Sequence, residues 1–395
     1  MPDRLAIDGG TPVRQRLLPY GRQTIDVDDE HAVLEVLRSD FLTTGPRVEA
    51  FEEAFAVVTG AAHAVAFSNG TAALHGAAHA AGLHAGDEAI TTPMTFVATA
   101  NCVRYEGATP ILADMRPDTM NIDPARIREA ITPRTRAILP VDYTGAPADL
   151  DECLAIAREG GSLVIEDAAH SLGATYKGRK VGAIADLTTF SFHPVKHVTT
   201  AEGGMVTTND GDLAMRLRRF RNHGMTTDVA ARSASASWFY DIVETGMNYR
   251  LTDLQCALGL SQLQKLPAWL TRRRAIASRY DRAFAHVREV QTPVVPADRE
   301  SAWHLYVLRF DLAALRVDRA AIFAALRAEN IGVNVHYIPV HLHSAYGGPA
   351  SRGRFPVAED AYDRMITLPI WPGMEDRDVD DVITAVRRVV EAYRR

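Results

Sequence analysis

The chain has 395 residues and a net charge of −6, since 43 lysines and arginines face 49 aspartates and glutamates. This charge argues against a general nucleic-acid binder, and three scattered cysteines argue against disulfides and thiolate metal sites. The N-terminus lacks the apolar core of a signal peptide, and no apolar run is long enough to span a bilayer. We therefore expect a soluble, cytoplasmic protein with two domains, because single cores stop growing near about 300 residues.

Strands and helices alternate through the first half of the chain. A helix over about 26–38 precedes a polar loop, 39–46, and a second helix. The elements predicted next are strand 63–67, helix 72–82, strand 89–91, helix 97–106, strand 111–115, helix 124–130, strand 137–143, helix 148–159 and strand 163–167. This alternation predicts an α/β fold with a mainly parallel sheet covered on both faces, in which ligands bind at the carboxyl ends of the strands.

The second half of the chain predicts a smaller α+β domain. The stretch 226–240 has no clear period and is interpreted as a flexible loop, and a helix over 267–287 would link the two domains. The elements expected there are strand 205–208, helix 213–221, a helix opening near 252, strand 304–310, helix 318–328, strand 332–336, helix 357–364 and a final helix over 376–393. The predicted domains are residues 1–265 and 266–395. Three consecutive arginines, 272–274, are interpreted as a solvated helix face.

Lys196 stands out because it interrupts an apolar strand segment, Ser191-Phe192-His193-Pro194-Val195-Lys196. A lysine held beside a buried strand is partly desolvated, which lowers its pKa and makes the neutral amine available for Schiff-base chemistry. The alternative is a lysine whose stem lies along apolar surface at a strand end while its charge reaches water.

The turn Ser68-Asn69-Gly70-Thr71 joins a buried strand to an alanine-rich helix. Small residues there let the first helical amides face an anion, which the helix dipole also favours. An ordinary capped turn selects the same residues, so both interpretations stay open.

Asp167 closes another strand, with His170 just beyond it, and its alternative role is a helix cap. A phosphate turn, a strand-end carboxylate and a strand-flanking lysine on one sheet together match pyridoxal phosphate. That cofactor needs a lysine, an anion cradle and a carboxylate that keeps its ring nitrogen protonated. The cluster His336-Tyr337-Ile338-Pro339-Val340-His341-Leu342-His343 invites a metal interpretation, but no further ligand is spaced to complete a shell, so we predict no metal.

In these motifs the sequence resembles the DegT/StrS family of sugar-nucleotide aminotransferases, pyridoxal-phosphate enzymes of the aspartate-aminotransferase fold (fold type I). Within it, the sequence is most similar to the pseudaminic-acid branch, whose members make UDP-4-amino-4,6-dideoxy-N-acetyl-β-L-altrosamine. The motifs that carry the resemblance are Leu5 to Gly10, Pro19-Tyr20-Gly21, Ser68 to Leu74, Thr95 to Asn101, Glu166 to His170, Ser191 to Lys196, Met247 to Leu251 and Val335-His336-Tyr337.

The resemblance implies a role for each matching residue. Lys196 would bond to the cofactor aldehyde and later move a proton between cofactor and sugar. Asp167 would pair with the pyridine nitrogen, His170 would contact the ring or its phenolic oxygen, and Phe96 would stack on the ring. The implied phosphate contacts are Gly70, Thr71, Ala72 and Ser191, with Asn248 reaching in from the neighbouring subunit of a homodimer. The implied sugar-nucleotide contacts are Tyr20, Asp40, Phe41, Leu42, Thr43, His336 and Tyr337.

The resemblance implies transfer of an amino group, with glutamate as the expected donor, to a 4-keto-6-deoxy sugar nucleotide. Other keto positions or a TDP-linked sugar remain alternatives. A deoxysugar dehydratase is a second alternative, although those relatives replace the lysine with histidine, and a catalytically silent cofactor-binding regulator is a third. Many family members carry glutamine at the position of His170, whereas the pseudaminic branch commonly has histidine.

Overall fold

The structure, a computed structural model, describes residues 4–227 and 238–395. Within these residues a sheet of seven strands forms the centre of the N-terminal part. Its strands are, in spatial order, β1 (His63–Phe67), β9 (Gly204–Thr208), β8 (Leu187–Ser191), β5 (Leu163–Asp167), β4 (Thr135–Leu139), β2 (Glu88–Thr91) and β3 (Thr109–Leu112). β9 runs opposite to the other six strands, which share one direction. This confirms the predicted mainly parallel mixed sheet.

Helices cover both faces of this sheet. The helices of the N-terminal part are α1 (Val27–Leu37), α2 (Pro46–Thr59), α3 (Gly70–Ala80), α4 (Ala98–Tyr105), α5 (Pro124–Ala130), α6 (Leu150–Gly160) and α7 (Gly211–Phe220). One apolar cluster joins α3, α4 and α7 to the sheet, and two others join α2, α5 and α6 to its opposite face. Side chains of β1 alternate between the faces, because Val65 and Phe67 pack on one side and Ala64 and Ala66 on the other.

Local caps explain where several helices begin. Asp26 and Asp29 form a reciprocal capping box at α1, and Asp123 caps α5 ahead of a proline at its first position. Lys265 contacts the start of α1, where its ammonium lies 2.8 Å from the carboxylate of Asp29.

A helix of 32 residues, α8 (Asp253–Phe284), runs from the central sheet into the C-terminal part. The prediction of a separate linking helix over 267–287 was wrong, because Pro267 lies inside this continuous helix. The predicted boundary between residues 265 and 266 therefore falls within one helix, and the division into domains stays a prediction. The interpretation of residues 272–274 as a solvated helix face was wrong for the middle residue, because Arg273 is buried.

The C-terminal part is an α+β unit with its own core. Its elements are β10 (Val290–Gln291), β12 (Tyr306–Phe310), α9 (Arg319–Ala328), α10 (Pro356–Arg364), β13 (Met365–Leu368) and α11 (Asp376–Tyr393). The strands form an antiparallel sheet, β10-β12-β13. The core includes Leu5 and Leu18, so the N-terminal segment packs against this unit. The strand predicted over 332–336 is absent from the described structure, where Asn334 makes a single bridge to Thr367.

A small sheet connects the two parts. It consists of β6 (Thr175–Tyr176), β7 (Arg179–Lys180) and β11 (Arg299–Glu300) in the order β11-β6-β7. Residues 228–237 of the loop predicted over 226–240 lie outside the described residues. No helix among the described residues is long and apolar enough to cross a membrane.

Candidate active site

The carboxyl edge of the central sheet brings Asp167, Ser191 and Lys196 together. β5 ends at Asp167, and its parallel neighbour β8 ends at Ser191. The chain then turns, with the Lys196 amide donating to the His193 carbonyl at 2.9 Å. Asp167, Ser191 and Lys196 all line a cavity of about 800 Å³. These three predicted site residues therefore lie at one cavity.

Lys196 sits in an environment that favours its neutral amine. Burial lowers the pKa of its ammonium from 10.5 to about 8; the Asp167 carboxylate opposes this shift and the Arg273 guanidinium adds to it. At pH 7.5 a group of this pKa is neutral in roughly a quarter of molecules, against about 0.1% for an ordinary lysine. Its Nζ lies 3.4 Å from Nε2 of His304. The residue can therefore act as a nucleophile and as a proton carrier near neutral pH.

Asp167 is a buried carboxylate with two hydrogen-bond donors. Its Oδ2 accepts from the Thr99 hydroxyl at 2.6 Å, and its Oδ1 accepts from the Ala169 amide at 3.2 Å. Burial raises the pKa of Asp167, while these two donors and the charge of Lys196 lower it. A cationic N–H group in the cavity would favour the ionised form further, which is the chemistry that a protonated pyridine nitrogen offers.

The turn before α3 brings backbone close to Ser191. Gly70 is the first residue of α3, and a Cβ on it would lie 2.9 Å from Cβ of Ser191. The Ala72 amide donates to the Asn69 side chain at 2.8 Å, so this amide is already capped. The amides of Gly70 and Thr71 belong to the first helical turn, which has no partners within the helix. With the Ser191 hydroxyl they make a cradle of anion-binding character.

Uncharged polar and aromatic side chains form a further part of the cavity wall. His170 Nε2 and the Tyr337 hydroxyl are 3.0 Å apart, and the rings of Tyr20 and His336 lie 5.2 Å apart. Burial lowers the pKa of His336 to about 3, so its imidazole is neutral. Phe96 lines the same cavity. This wall suits a ligand with hydroxyl and carbonyl groups.

Two groups of predicted contacts lie apart from this cavity. The exposed loop residues Asp40, Phe41, Leu42 and Thr43 are not among the residues that line it, and Phe41 borders a second cavity of about 330 Å³ beside Asp253. Asn248 is exposed and also outside the lining. For Asn248 this agrees with the expected contribution to a neighbouring subunit, which stays a prediction.

The structure adds site residues that sequence reasoning did not single out. Thr99 lies within a motif quoted for the family resemblance but without a role, and His304 was noted only as a strand residue. Asn334 joins the cavity wall, where its side-chain amide lies 3.3 Å from His336 Nε2. A histidine just before a strand was the available signal for His304, whereas no local pattern marked Thr99 or Asn334.

The histidine-rich segment after His336 does not gather around one point. His341 pairs with Glu359 at 2.9 Å, and His336 contacts Thr367 through Nδ1 at 2.9 Å. In the part of the chain that the structure describes, no three His, Cys, Asp or Glu residues are grouped to hold a metal ion.

Comparison with known families covers nearly the whole chain. The family described as DegT/DnrJ/EryC1/StrS aminotransferases matches residues 23–387. The chain belongs to this family. A relative, the spore coat polysaccharide biosynthesis protein SpsC of Bacillus subtilis strain 168, is 45% identical over 382 residues, covering 96% of this chain and 98% of SpsC.

Solved structures of sugar aminotransferases have the same fold as this chain. Helicobacter pylori PseC, an aminotransferase involved in the biosynthesis of pseudoaminic acid, has a TM-score of 0.89 at 33% identity, covering 96% of this chain and 100% of that one. The PLP form of Spr1654 from Streptococcus pneumoniae has a TM-score of 0.88 at 32% identity, covering 95% and 99%. The chain is a pyridoxal-phosphate-dependent sugar aminotransferase of fold type I that acts in nucleotide-sugar or deoxysugar biosynthesis.

Proposed function

We propose that the protein transfers an amino group from glutamate to the 4-keto carbon of a 4-keto-6-deoxy sugar nucleotide. The sugar is UDP-linked and of the pseudaminic type in this proposal. The observation that carries it is one cavity lined both by Lys196 and Asp167 and by the neutral polar groups Tyr20, His336 and Tyr337. The similarity to PseC, involved in pseudoaminic acid biosynthesis, supports the substrate class.

The residues of the cavity fit pyridoxal phosphate. Gly70 permits an approach to Ser191 that a Cβ would obstruct, which leaves room for a phosphate between the helix amides and the serine hydroxyl. Asp167, buried and held by two donors, matches the need for a carboxylate at the pyridine nitrogen. When bound, the cofactor supplies an aldehyde that accepts amino groups and a ring that draws in electrons from the reacting carbon.

The side chains divide the remaining work. The neutral amine of Lys196 would hold the cofactor through its aldehyde, and the free Nζ can hold and move a proton. His170, uncharged because burial lowers its pKa, would contact the cofactor ring or its phenolic oxygen, and Phe96 would stack on the ring. Tyr20, His336 and Tyr337 orient the sugar through hydroxyl contacts without adding charge.

The proposal includes a homodimer with shared active sites. It rests on the exposed position of Asn248 and on exposed apolar side chains in the loop at residues 40–43, where Phe41 is 51% and Leu42 is 48% exposed. In a dimer these residues would reach the neighbouring cavity and complete the phosphate and nucleotide contacts. The cytoplasmic location expected from the cysteine pattern stays a prediction.

The test is to incubate the enzyme and glutamate with 3-keto and 4-keto sugars linked to UDP or TDP, and to identify products by mass and NMR. We expect amination of the 4-keto UDP sugar. Amination of only a 3-keto or TDP-linked sugar would overturn the substrate assignment, and a deoxygenated product would replace transamination by dehydration. Lys196→Ala is expected to abolish both turnover and the visible absorbance of lysine-bound cofactor. Retention of both would overturn the mechanism.

A further inference from the structure

His304 approaches the reacting atom of Lys196 from a different part of the chain. Its Nε2 lies 3.4 Å from Nζ of Lys196, although the two residues are 108 positions apart. Within the described part of the chain, the hydrogen bond of the Lys196 side chain is the one to His304. His304 also lines the cavity, and its ring centroid lies 4.4 Å from that of His170.

His304 is an uncharged partner. Only 5% of the residue is exposed, and its Nδ1 is buried without a hydrogen-bond partner among the described residues. Burial, together with Lys196, His170, His197 and Arg273, lowers the pKa of its imidazole well below 6.5. A neutral imidazole can accept a hydrogen bond at Nε2 from the lysine ammonium, or donate from Nε2 to the neutral amine after a change of tautomer. It can thus contact Nζ in either protonation state.

The backbone that carries His304 is fixed at several points. Nη1 of the buried Arg273 donates to the carbonyls of Trp303 and Ile370, both at 3.1 Å. The Leu305 amide donates to the backbone carbonyl of Thr144 at 3.1 Å, and Thr144 follows the end of β4. His304 therefore belongs to a rigid segment held against both the long helix α8 and the central sheet.

Its neighbour His197 contributes to the same rigidity but not to the lysine contact. His197 Nε2 donates to the Ala302 carbonyl at 2.9 Å, which fixes its tautomer and turns its hydrogen away from the cavity. His197 is absent from the residues that line the cavity. Of the buried imidazoles of His197 and His304, that of His304 contacts Nζ in the described structure.

We propose that His304 is the positioning residue of Lys196, which holds the ε-amine at the cavity whenever that amine is not bonded to the cofactor. The lysine chain has four rotatable bonds, and a fixed acceptor restricts them so that the released amine stays within reach of the reacting carbons. Because the imidazole is neutral, it achieves this without adding a charge next to the lysine. The proposal rests on the proposed catalytic role of Lys196.

The test compares two amide variants of different reach. In His304→Gln the side-chain amide extends to the position of Nε2, whereas in His304→Asn it reaches only the position of Nδ1. Lysine is labelled with ¹³C at Cε in cofactor-free protein, and the shift is followed from pH 6 to 11. The sequence has lysines only at 177, 180, 196 and 265, so Lys196→Arg identifies the signal of Lys196 by its loss.

We expect the Lys196 midpoint near pH 8 in the unmodified protein and in His304→Gln, and about one unit lower in His304→Asn, which leaves a buried ammonium without its acceptor. A lower pKa leaves more of the amine neutral, but the amine is no longer held at the cavity. After pyridoxal phosphate is added, the absorbance of bound cofactor should therefore develop about tenfold more slowly in His304→Asn. His197→Gln is the control and should shift the midpoint by less than about 0.3 units.

Two results would overturn the proposal. One is an unchanged Lys196 midpoint and cofactor-loading rate in His304→Asn. The other is an equal fall of both quantities in the Asn and Gln variants, which would show that His304 only fills space in the core. Because the titration uses neither glutamate nor a sugar, its outcome is separate from that of the amination panel. If no sugar of the panel is aminated but the Lys196 midpoint depends on His304 as expected, the substrate assignment is overturned and the role of His304 is not.

Discussion

The ionisation of Asp167 depends on Thr99, and this dependence can be measured. The Thr99 hydroxyl donates to Asp167 Oδ2 at 2.6 Å in a fully buried setting. Burial by itself raises the pKa of Asp167, and the Thr99 hydrogen bond counteracts that rise. Thr99→Val keeps the shape of the side chain and removes the donor. The carboxyl group should then hold its proton to a higher pH.

A hydrogen bond to a charged group contributes about 1.5–3 kcal/mol. At 1.36 kcal/mol per unit, its loss raises the pKa of Asp167 by roughly one to two units. The same free energy corresponds to a loss of about 10- to 150-fold in affinity for pyridoxal phosphate, if the ionised carboxylate is what pairs with the ring nitrogen. The loss should be greatest at acidic pH, because a raised pKa protonates the carboxylate there first.

The assay is a titration of cofactor-free protein with pyridoxal phosphate between pH 6 and 9, followed by absorbance. Thr95→Val is the matched control, because Thr95 Oγ1 contacts Thr99 Oγ1 at 2.8 Å and leaves the bond to Asp167 in place. We expect less than about a threefold change in this control. The reasoning is refuted if Thr99→Val binds the cofactor at pH 6 as well as the unmodified protein does, or if both variants lose affinity equally.

Two further predictions concern the phosphate turn and the ion cluster between α3 and Glu106, the residue after α4. Gly70→Ala places a Cβ 2.9 Å from Ser191 and should destabilise the protein by about 1–3 kcal/mol and weaken cofactor binding, as thermal melts and the same titration would measure. Glu106→Gln should lower the melting temperature most between about pH 4.5 and 6.5, where Glu106 is ionised and His79 is protonated.

The pH window in the second prediction follows from the sign of each shift. Burial opposes ionisation of Glu106, but hydrogen bonds from His75 and His79 lower its pKa to about 2, so its contribution is complete above the unfolded value and lost as pH falls. The Glu106 hydrogen bond raises the pKa of His79 above 6.5, so the contribution of His79 is complete below 6.5 and lost at higher pH. A pH-independent difference in melting temperature would contradict this explanation.

Gly211→Ala is the control for the glycine prediction. Gly211 also begins a helix, α7, but a Cβ there would meet only the His63 side chain at 3.7 Å. Equal effects of the two substitutions would show that helix position, rather than the approach to Ser191, determines the cost.

Local patterns predicted elements well where one segment decides its own structure. The strands at 63–67 and 163–167 and the helices at 124–130 and 376–393 have the predicted bounds. Local patterns failed where a neighbour decides. Residues 332–336 alternate like a strand, yet only Asn334 bridges to β13. A proline usually ends a helix, but α8 continues through Pro267 because it packs along both α1 and α2, which offsets a cost of about 3 kcal/mol.

The sequence by itself determined the chemistry of the site: a lysine after a broken strand, an aspartate at a strand end and a small-residue turn before a helix. These signals are local, because each depends on residues adjacent in the chain. Only the tertiary structure brought Thr99 to Asp167 and His304 to Lys196, across 68 and 108 positions. The burial of Arg273 was likewise visible only in the tertiary structure, because a run of three arginines is typical of an exposed helix face. Such contacts depend on how strands and helices cross, and the free energy that fixes a crossing comes from the whole packed core.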